Sequence, residues 1–579
     1  MKINYTTDRS TQILVALLKA HGIKRVIASP GTTNAIFVAS IQSDSFFEVF
    51  SCVDERSASY MACGMAYATN EPVVITCTEA TASRNYLPGL TEAYYRKLPV
   101  LAITGTHGPY NIGNLFTQAI DRSQAPKDTV IYSTEIGHCN NEEDEWHVNL
   151  EINKAILALS KNGGGPVHIN LAIAERWDFY SEELPNTRVI KRVKNRVDYP
   201  DLPSGKISIV IGCHHIFSSA ENESIDKFCK NHNAVVFRDV IGGYRGDYGV
   251  PMGMLSMQKG YSSKVLSSDL RIHIGEIGWS VGNSKETWRI SDDGELRDPF
   301  RNLTFLFEAS VSDFFDYYAD KNVSKNDYYE ESVNELTKAL SLINNLPFSN
   351  LWLAFNTYNR FPKDCTIHFG ILNSFRVWNM FPYDNSIETS CNFGGFGIDG
   401  CLSTAIGSSL TNNKRIHFCI LGDLAFFYDL NSLANRHIGD NLRILLINNG
   451  KGNEFRNCIH PAYKLGEYAD DFIAAAGHNG QKSPQLVKDF SENLGYHYLC
   501  ARTKDEYLQV LDIFLSPSHS DKPYVLEVFT EGNDESDSLL SISSLLQGNA
   551  SSLKDSVIKK AKDVLGDKGV ASIKKMLGK

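Results

Sequence analysis

No apolar run in this chain of 579 residues approaches the ~20 residues that a membrane-spanning helix needs, so we expect no integral membrane segment. The first thirty residues also lack the basic, apolar and small-residue order of a signal peptide. Basic residues are outnumbered by acidic ones, 57 to 67, and the net charge of −10 argues against a nucleic-acid partner. The twelve cysteines include no C-x-x-C pair and no zinc-type cluster, which favours reduced thiols and a cytoplasmic location.

Short apolar runs alternate with helical patterns along most of the chain. This alternation predicts an α/β fold in which helices flank parallel sheets on both faces. Helical patterns are clearest at 57–68 and 426–437. The runs that predict buried strands are 25–29, 73–77, 100–104, 167–171, 207–212, 234–237, 271–275, 416–421, 443–448 and 524–529.

The same alternation falls into three stretches, and we expect three domains, each a parallel sheet flanked by helices. Their predicted limits are 1–181, 205–345 and 346–540, with a polar linker containing three prolines at 182–204. The remaining segment, 541–579, is rich in lysine near its end. It predicts a solvated amphipathic helix, with a docking or membrane-surface helix as the alternative.

Polar residues follow two predicted strands of the third domain. Asp423 comes directly after the strand at 416–421 and Gly422, and Asn449 follows the strand at 443–448. Neighbouring parallel strands place such ends side by side, at the crevice where doubly wound sheets bind ligands. Gly-Asp and Asn-Asn also occur in ordinary turns, and a turn that binds no ligand remains the alternative interpretation.

Oxygen ligands at this position favour Mg²⁺. Asp423 supplies a carboxylate, Asn449 an amide oxygen, and Lys451 is placed to supply a backbone carbonyl. The backbone amides of Leu424 and Ala425, at a helix start, are suited to hold a diphosphate group. The pattern therefore predicts a site for magnesium and a diphosphate.

A second acidic segment lies in the first domain, where Asp54-Glu55-Arg56-Ser57-Ala58 opens the helical pattern. Alone, an acidic residue there is more often a cap or a partner of the helix dipole. With Gly422-Asp423 and Asn449 in the same domain order, however, the sequence resembles the thiamine-diphosphate enzymes.

That resemblance implies a cofactor of thiamine diphosphate with Mg²⁺. Glu55 would promote the imino tautomer of the cofactor's aminopyrimidine ring. The resemblance also implies a homodimer or homotetramer with its active sites at the subunit interface.

The glycine-rich segment 389–400 (TSCNFGGFGIDG) precedes a helical pattern, at the place where this family binds the aminopyrimidine. By resemblance, Gly394 and Gly397 would line the cofactor and Ile398 would be the apolar wedge that bends it. Gly31 and Phe455 are the other cofactor-binding residues implied. Without this context, Ile398 is equally an ordinary core side chain.

Several strings narrow the resemblance to the MenD branch, the 2-succinyl-5-enolpyruvyl-6-hydroxy-3-cyclohexene-1-carboxylate synthases. They include 29–31 (SPG), 118–120 (QAI) and 397–400 (GIDG), and the likeness covers residues 1–535. This branch decarboxylates 2-oxoglutarate and adds the fragment to isochorismate. Gln118 would then face the substrate as a catalytic residue.

The substrate-facing positions depart from that branch. The Ser-Arg expected after Gly31 is Thr32-Thr33, and His107 and Phe393 stand where two further arginines are expected. Arginine forks bind carboxylates, so the altered positions predict different substrates, with Arg376 as one substrate-binding arginine that remains.

Two side chains are candidates for acid–base catalysis at the substrate. Glu454 would face the reacting side of the cofactor, and His107 follows the strand at 100–104 above the same pocket. For each, a solvated loop side chain is an equally good interpretation.

We therefore expect a transferase or carboxy-lyase that decarboxylates a 2-oxo acid and joins the remaining fragment to an unidentified acceptor. Simple decarboxylation and the menaquinone-pathway reaction itself are alternatives. A non-catalytic assembly subunit is a remote one, because Glu55, Asp423 and Asn449 are all present.

Overall fold

The computed structural model describes residues 4–122, 124–172, 177–279, 281–323, 326–478 and 482–547. The chain divides into two compact units, Met1–Lys194 with Asp293–Glu308, and Asn195–Asp292 with Ala309–Lys579. The predicted domain limits and linker stay predictions, and most of the predicted tail, 548–579, lies outside the described residues.

Parallel strands form the framework of both units. In chain order they are β1 Arg25–Ala28, β2 Glu48–Ser51, β3 Val73–Cys77, β4 Val100–Thr106, β5 Tyr132–Ile136, β6 Val167–Ala172, β7 Lys191–Val193, β8 Ile207–Ile211, β9 Val235–Arg238, β10 Gly249–Pro251, β11 Ser267–Ile274, β12 Asn283–Ile290, β13 Leu303–Phe307, β14 Thr366–Phe369, β15 Glu388–Cys391, β16 His417–Gly422, β17 Leu442–Asn448, β18 His497–Ala501 and β19 Tyr524–Phe529.

Helices connect these strands. They are α1 Arg9–Ala20, α2 Ala35–Gln42, α3 Glu55–Thr69, α4 Thr81–Asn85, α5 Leu87–Arg96, α6 Glu142–Ala158, α7 Ser219–His232, α8 Gly253–Ser256, α9 Val311–Tyr318, α10 Tyr328–Ser341, α11 Asn350–Thr357, α12 Asn373–Trp378, α13 Cys401–Thr411, α14 Asp423–Tyr428, α15 Leu486–Asn493, α16 Lys504–Phe514 and α17 Gly532–Ile542. Within the described residues, no helix is both long and apolar enough to cross a membrane.

The first unit contains a six-stranded parallel sheet in the order β2-β1-β3-β4-β6-β5. Its central strands β3, β4 and β6 are buried at every position, because both faces of the sheet are covered. Along β3, Val74 joins one apolar cluster, whereas Val73 and Ile75 join the cluster on the other face. The strands β13 and β7 also belong to this unit and pair in parallel, with Phe305 opposite Lys191.

The second unit contains a six-stranded parallel sheet in the order β15-β14-β16-β17-β19-β18. This is the winding of the first sheet repeated, with the strand order reversing at the same position. Five further parallel strands of the unit run in the order β10-β9-β8-β11-β12. The predicted α/β class with helix-flanked parallel sheets is thus confirmed.

The prediction of one helix over 426–437 is wrong. The helix α14 ends at Tyr428, and a separate 3₁₀ segment covers Leu430–Ala434. Asp429 lies at the break, where its Oδ1 accepts a hydrogen bond from Ser403 Oγ at 2.6 Å and its backbone oxygen accepts one from Ser432 Oγ at 2.7 Å. These bonds satisfy Asp429 outside a continuing helix, and the chain turns there.

Candidate active site

Predicted site residues lie in both units, and each unit is described by itself. In the second unit, β16 ends at Gly422, which pairs with Ile447 of β17. Asp423 follows and is 5% exposed, and its Oδ2 accepts a hydrogen bond from Gly450 N at 2.6 Å. Gly450 has a φ of +77°, which favours glycine. The carboxylate of Asp423 and the turn that carries Asn449 are therefore tied together, as predicted.

The oxygen atoms at these strand ends fit a hard cation. Asn449 Oδ1 is buried and has no hydrogen-bond partner among the described residues. Burial raises the pKa of Asp423 to about 6, because the carboxylate is shielded from water. A divalent cation would satisfy both groups. The described residues contain no group of three His, Cys, Asp or Glu side chains suited to a metal, so amide and backbone oxygens would complete the site.

Two of the residues predicted to hold the cation or the diphosphate group, Lys451 and Leu424, already make hydrogen bonds within the chain. Lys451 Nζ donates to Asp470 Oδ2 at 2.7 Å, which leaves only the backbone oxygen of Lys451 for a metal. The Leu424 amide donates to Asp423 Oδ1 at 2.8 Å, so it is already used, whereas Ala425 is buried in the first turn of α14. A Cβ built on Gly422 would meet nothing within 4 Å, which leaves space at the start of this helix.

Glu454 and Arg376 form a two-pronged ion pair. Arg376 Nη1 lies 2.6 Å from Glu454 Oε2, and Nη2 lies 2.8 Å from Oε1. Both side chains are nearly buried, at 10% and 12% exposure. Arg376 Nη1 also donates to Asn373 Oδ1 at 2.9 Å. The guanidinium group of Arg376, which was expected to bind a substrate carboxylate, therefore binds the carboxylate of Glu454.

Arg376 also lines a small cavity of about 50 Å³ within the second unit. Its wall is mainly apolar and includes Trp279, Phe375 and Met380. Asp239 is the acidic residue of the lining, and burial raises its pKa to about 6.

The glycine-rich segment joins β15 to α13. Phe393 is buried, and its ring packs 5.1 Å from that of Phe375. A Cβ built on Gly394 would meet nothing within 4 Å, whereas one on Gly397 would meet Asp399 Oδ1 at 2.5 Å. Ile398 is half-buried. The segment therefore leaves open space beside Gly394, and the role predicted for Ile398 stays a prediction.

Phe455 lies in the 3₁₀ segment Asn453–Arg456, beyond the strand end that carries Asn449. Its ring makes an edge contact with His460 at 5.2 Å. Phe455 thus lies in the same turn as Glu454, close in sequence to Asn449 and Lys451.

In the first unit, Glu55 is the first residue of α3 and is half-buried. The preceding Asp54 caps the helix by accepting a hydrogen bond from Arg56 N at 2.9 Å. Capping is therefore done by Asp54, and Glu55 is left for another role. Burial, with a smaller contribution from the charge of Glu55, raises the pKa of the Cys77 thiol to about 12.

Gly31 follows β1 and contacts the turn after β3. A Cβ built on Gly31 would lie 2.4 Å from Thr78 Cβ, so a larger side chain does not fit. Thr33 is buried, and its Oγ1 lies 2.7 Å from Thr78 Oγ1, whereas Thr32 is exposed. Of the two threonines at the predicted substrate position, Thr32 alone has a side chain open to solvent.

The structure also identifies an acidic residue that the sequence interpretation missed. His107, directly after β4, places Nε2 2.9 Å from Oε1 of Glu79, whose side chain is completely buried. Gln118 is exposed and has a φ of +66°. The available signal for Glu79 was a charged residue just past a buried strand, which is the signal that identified Asp423.

A domain family and several curated proteins are similar to this chain. Residues 9–125 match the thiamine pyrophosphate enzyme N-terminal TPP binding domain, thiamine pyrophosphate being thiamine diphosphate. Among curated proteins, a 2-succinyl-5-enolpyruvyl-6-hydroxy-3-cyclohexene-1-carboxylate synthase of Bacteroides fragilis is 28% identical over 92% of this chain and 98% of its own length.

Two further synthases of the same name are similar over comparable lengths. That of Phocaeicola vulgatus is 29% identical over 91% of this chain and 96% of its own, and that of Flavobacterium johnsoniae is 26% identical over 90% and 95%. The resemblance expected from the sequence is confirmed, and the chain is a thiamine-diphosphate-dependent enzyme of MenD-like sequence.

Proposed function

We propose that this enzyme uses thiamine diphosphate and Mg²⁺ to decarboxylate a 2-oxo acid and to join the remaining fragment to an acceptor. The observation that carries the proposal is the hydrogen bond from Gly450 N to Asp423, which ties the turn carrying Asn449 to the adjacent strand end, where Asn449 Oδ1 is buried without a partner among the described residues. The relatives are named as synthases, which supports bond formation rather than decarboxylation alone.

Separate residues of the chain would then bind the cation and hold the proton. Asp423, Asn449 and the backbone oxygen of Lys451 would hold Mg²⁺, and Glu55 would hold a proton at the pyrimidine ring. Gly394 leaves room where a ring would lie. The cofactor, when bound, supplies the electron sink that allows CO₂ to leave a 2-oxo acid.

We propose an acceptor that carries less negative charge than the acids handled by the MenD branch. Thr33, His107 and Phe393 stand at positions where that branch is expected to place arginines. The guanidinium group of Arg376 is already paired with Glu454, and the cavity beside it is mainly apolar. Release of an aldehyde without an acceptor, and the synthase reaction for which the relatives are named, are the alternative functions.

We further propose a homodimer or homotetramer in a reducing cytoplasm. Three large apolar side chains are exposed on the helix α3, which starts at Glu55: Tyr60, Met61 and Tyr67. Their exposure supports a contact with a second subunit next to Glu55. None of the twelve cysteines forms a disulfide.

The test is reconstitution of the purified apo-protein with thiamine diphosphate and Mg²⁺. Release of CO₂ is measured with a panel of 2-oxo acids, and products are identified by mass after addition of candidate aldehydes. Asp423→Asn is expected to lose Mg²⁺-dependent cofactor binding in calorimetry, whereas Asp440→Asn, at an exposed ion pair with His519, keeps it. Cofactor binding without CO₂ release from any acid would favour a non-catalytic subunit instead.

A further inference from the structure

Glu79 and His107 form a contact in the first unit that the proposed cycle has not used. Glu79 follows β3 and His107 follows β4, and these strands are paired in parallel, with Cys77 opposite Thr104. Their ends therefore lie side by side, and Nε2 of His107 lies 2.9 Å from Oε1 of Glu79. The contact thus results from the sheet itself rather than from a chance encounter of two loops.

Among the described residues, His107 is the ion-pair partner of Glu79. Its side chain is completely buried, and neither of its oxygens has a hydrogen-bond partner among the described residues, so the 2.9 Å contact with His107 is an ion-pair contact. Burial raises the pKa of Glu79, while the nearby positive groups, His107 first and then Arg122, oppose that rise. An isolated carboxylate is costly to bury, so the structure places this one where an imidazole is its partner.

The surroundings support an ionised Glu79. Arg122 is 5% exposed and donates through Nη2 to the backbone oxygen of Gly105 at 2.9 Å. Its Nε and Nη1 have no hydrogen-bond partner among the described residues, so its charge is only partly compensated there. Burial lowers the pKa of this guanidinium group, and the charge of Glu79 opposes that fall. His107, by contrast, is one-third exposed and can reach a ligand.

We propose that Glu79 is a positioning residue that fixes the ring of His107 with a proton on Nε2. Nδ1 is then the nitrogen with a free lone pair, ready to exchange one proton with the substrate's reacting group while Glu79 keeps its charge. This inference rests on the proposed function, in which His107 faces the substrate. It adds to that function a carboxylate that acts through the imidazole and does not touch the substrate.

The first test does not depend on activity. In protein labelled with ¹⁵N-histidine, the resonances of His107 are identified by their loss in His107→Gln. At the highest pH at which the protein is stable, wild type is expected to show the tautomer protonated at Nε2. Glu79→Gln is expected to show a mixture of tautomers. Glu151→Gln removes another partly buried carboxylate of the same unit, bonded to Tyr132 and Thr134, and should leave the signal unchanged.

The second test is a double-mutant cycle on CO₂ release. Glu79→Gln is expected to lower kcat about 10- to 100-fold with little change in KM, as losses of residues that orient a histidine do. Glu79→Asp should lose less, since it keeps the carboxylate. In the His107→Gln background, Glu79→Gln should cost nothing further, because its effect passes through His107.

The outcomes separate the two proposals. An unchanged His107 signal in Glu79→Gln, or losses that multiply in the double variant, would overturn the role of Glu79. If Glu79→Gln does not fold, judged by circular dichroism, the cycle is run with Glu79→Asp, whose smaller loss of kcat should likewise vanish in the His107→Gln background and would overturn the role if it persisted there. If wild type releases no CO₂ from any acid, the proposed function fails, and the spectra still decide whether Glu79 sets the tautomer of His107.

Discussion

Arg376 on α12 and Glu454 beyond β17 hold each other through both nitrogens and both oxygens, at 2.6 and 2.8 Å, in a nearly water-free setting. Bidentate pairing of this kind fixes direction as well as charge. It links two segments that the sequence interpretation assigned to separate roles, substrate binding and acid–base catalysis. The two side chains consequently have to be tested as one unit.

Removing one member of this pair should destabilise the protein markedly. Glu454→Ala leaves the Arg376 guanidinium group nearly buried without its counter-charge, and we expect the free energy of unfolding to fall by about 3 kcal/mol. Replacing both residues, in Arg376→Met with Glu454→Leu, should recover at least half of that loss. Urea unfolding measures both effects.

A matched control for the pair is Asp512→Ala. It breaks the ion pair of Asp512 with Arg360, in which Asp512 is 84% exposed, and should change stability by less than about 1 kcal/mol. Equal losses in Glu454→Ala and Asp512→Ala would show that the Arg376–Glu454 pair adds nothing beyond a surface contact.

Glu55→Gln should separate cofactor binding from turnover. The amide keeps the size of the side chain but cannot share a proton as a carboxylate does, so we expect cofactor affinity within about threefold of wild type and turnover at least about 100-fold lower. Calorimetry and CO₂ release measure the two quantities. Glu71→Gln, at an exposed pair with Arg25, should change neither. Full turnover in Glu55→Gln would contradict the role assigned to Glu55.

Two glycines predicted at the cofactor should respond to alanine in opposite ways. Gly31→Ala places Cβ 2.4 Å from Thr78 Cβ, and such overpacking should cost about 1–3 kcal/mol of stability. Gly394→Ala places its Cβ in open space and should leave the unfolding curve within about 0.5 kcal/mol of wild type.

Cofactor affinity is the decisive measurement for the second glycine. If a cofactor ring occupies the space beside Gly394, Gly394→Ala should weaken binding at least tenfold in the same calorimetric assay. Binding as tight as that of wild type would remove Gly394 from the site.

The buried carboxyl group of Glu535, on α17, should make stability depend on pH. Burial raises its pKa to about 7, and its oxygens accept hydrogen bonds from Thr530 Oγ1 and Asn350 N. In the unfolded chain its pKa is about 4.5, so the unfolded state loses its proton first as pH rises. Stability contributed by this group should therefore fall by about 3 kcal/mol between pH 4.5 and 7 and then level off.

The measurement is urea unfolding of wild type and Glu535→Gln across this range. The difference in free energy of unfolding between wild type and Glu535→Gln should fall by this amount between pH 4.5 and 7, since the amide cannot ionise. Glu531→Gln, at an exposed position one residue before α17, should reproduce the wild-type profile. A constant difference between Glu535→Gln and wild type at all pH values would contradict the assignment.

Much of the fold was predictable because buried parallel strands leave a strong pattern. The strands Val73–Cys77 and Tyr524–Phe529 begin and end as predicted, since mainly apolar residues there meet turns at both ends. Strands with exposed or half-buried polar residues were missed. The strand β5 is only partly buried over most of its length, and Asn283–Ile290 begins with exposed polar residues, so neither stands out by hydrophobicity.

The candidate site was predictable only where one strand end determines it. Asp423 and Asn449 are each fixed by the strand before them, and sequence spacing alone placed them together. The pair Arg376–Glu454 joins residues 78 positions apart (454 − 376), through a side-chain contact that no local pattern records. This pairing became visible only with the three-dimensional arrangement, whereas Glu79 and His107 follow adjacent strands and carried the same signal as Asp423 and Asn449.

The repeated winding of the two six-stranded sheets has a consequence for how such an enzyme can be altered. The strand order reverses at an equivalent place in each sheet, and the ends of the third and fourth strands are followed by Glu79 and His107 in the first sheet and by Asp423 and Asn449 in the other. Under the proposed function, Asp423 and Asn449 would keep holding the cofactor while the loops after β3 and β4 change. Exchange of a few residues in those loops should then redirect the choice of acceptor.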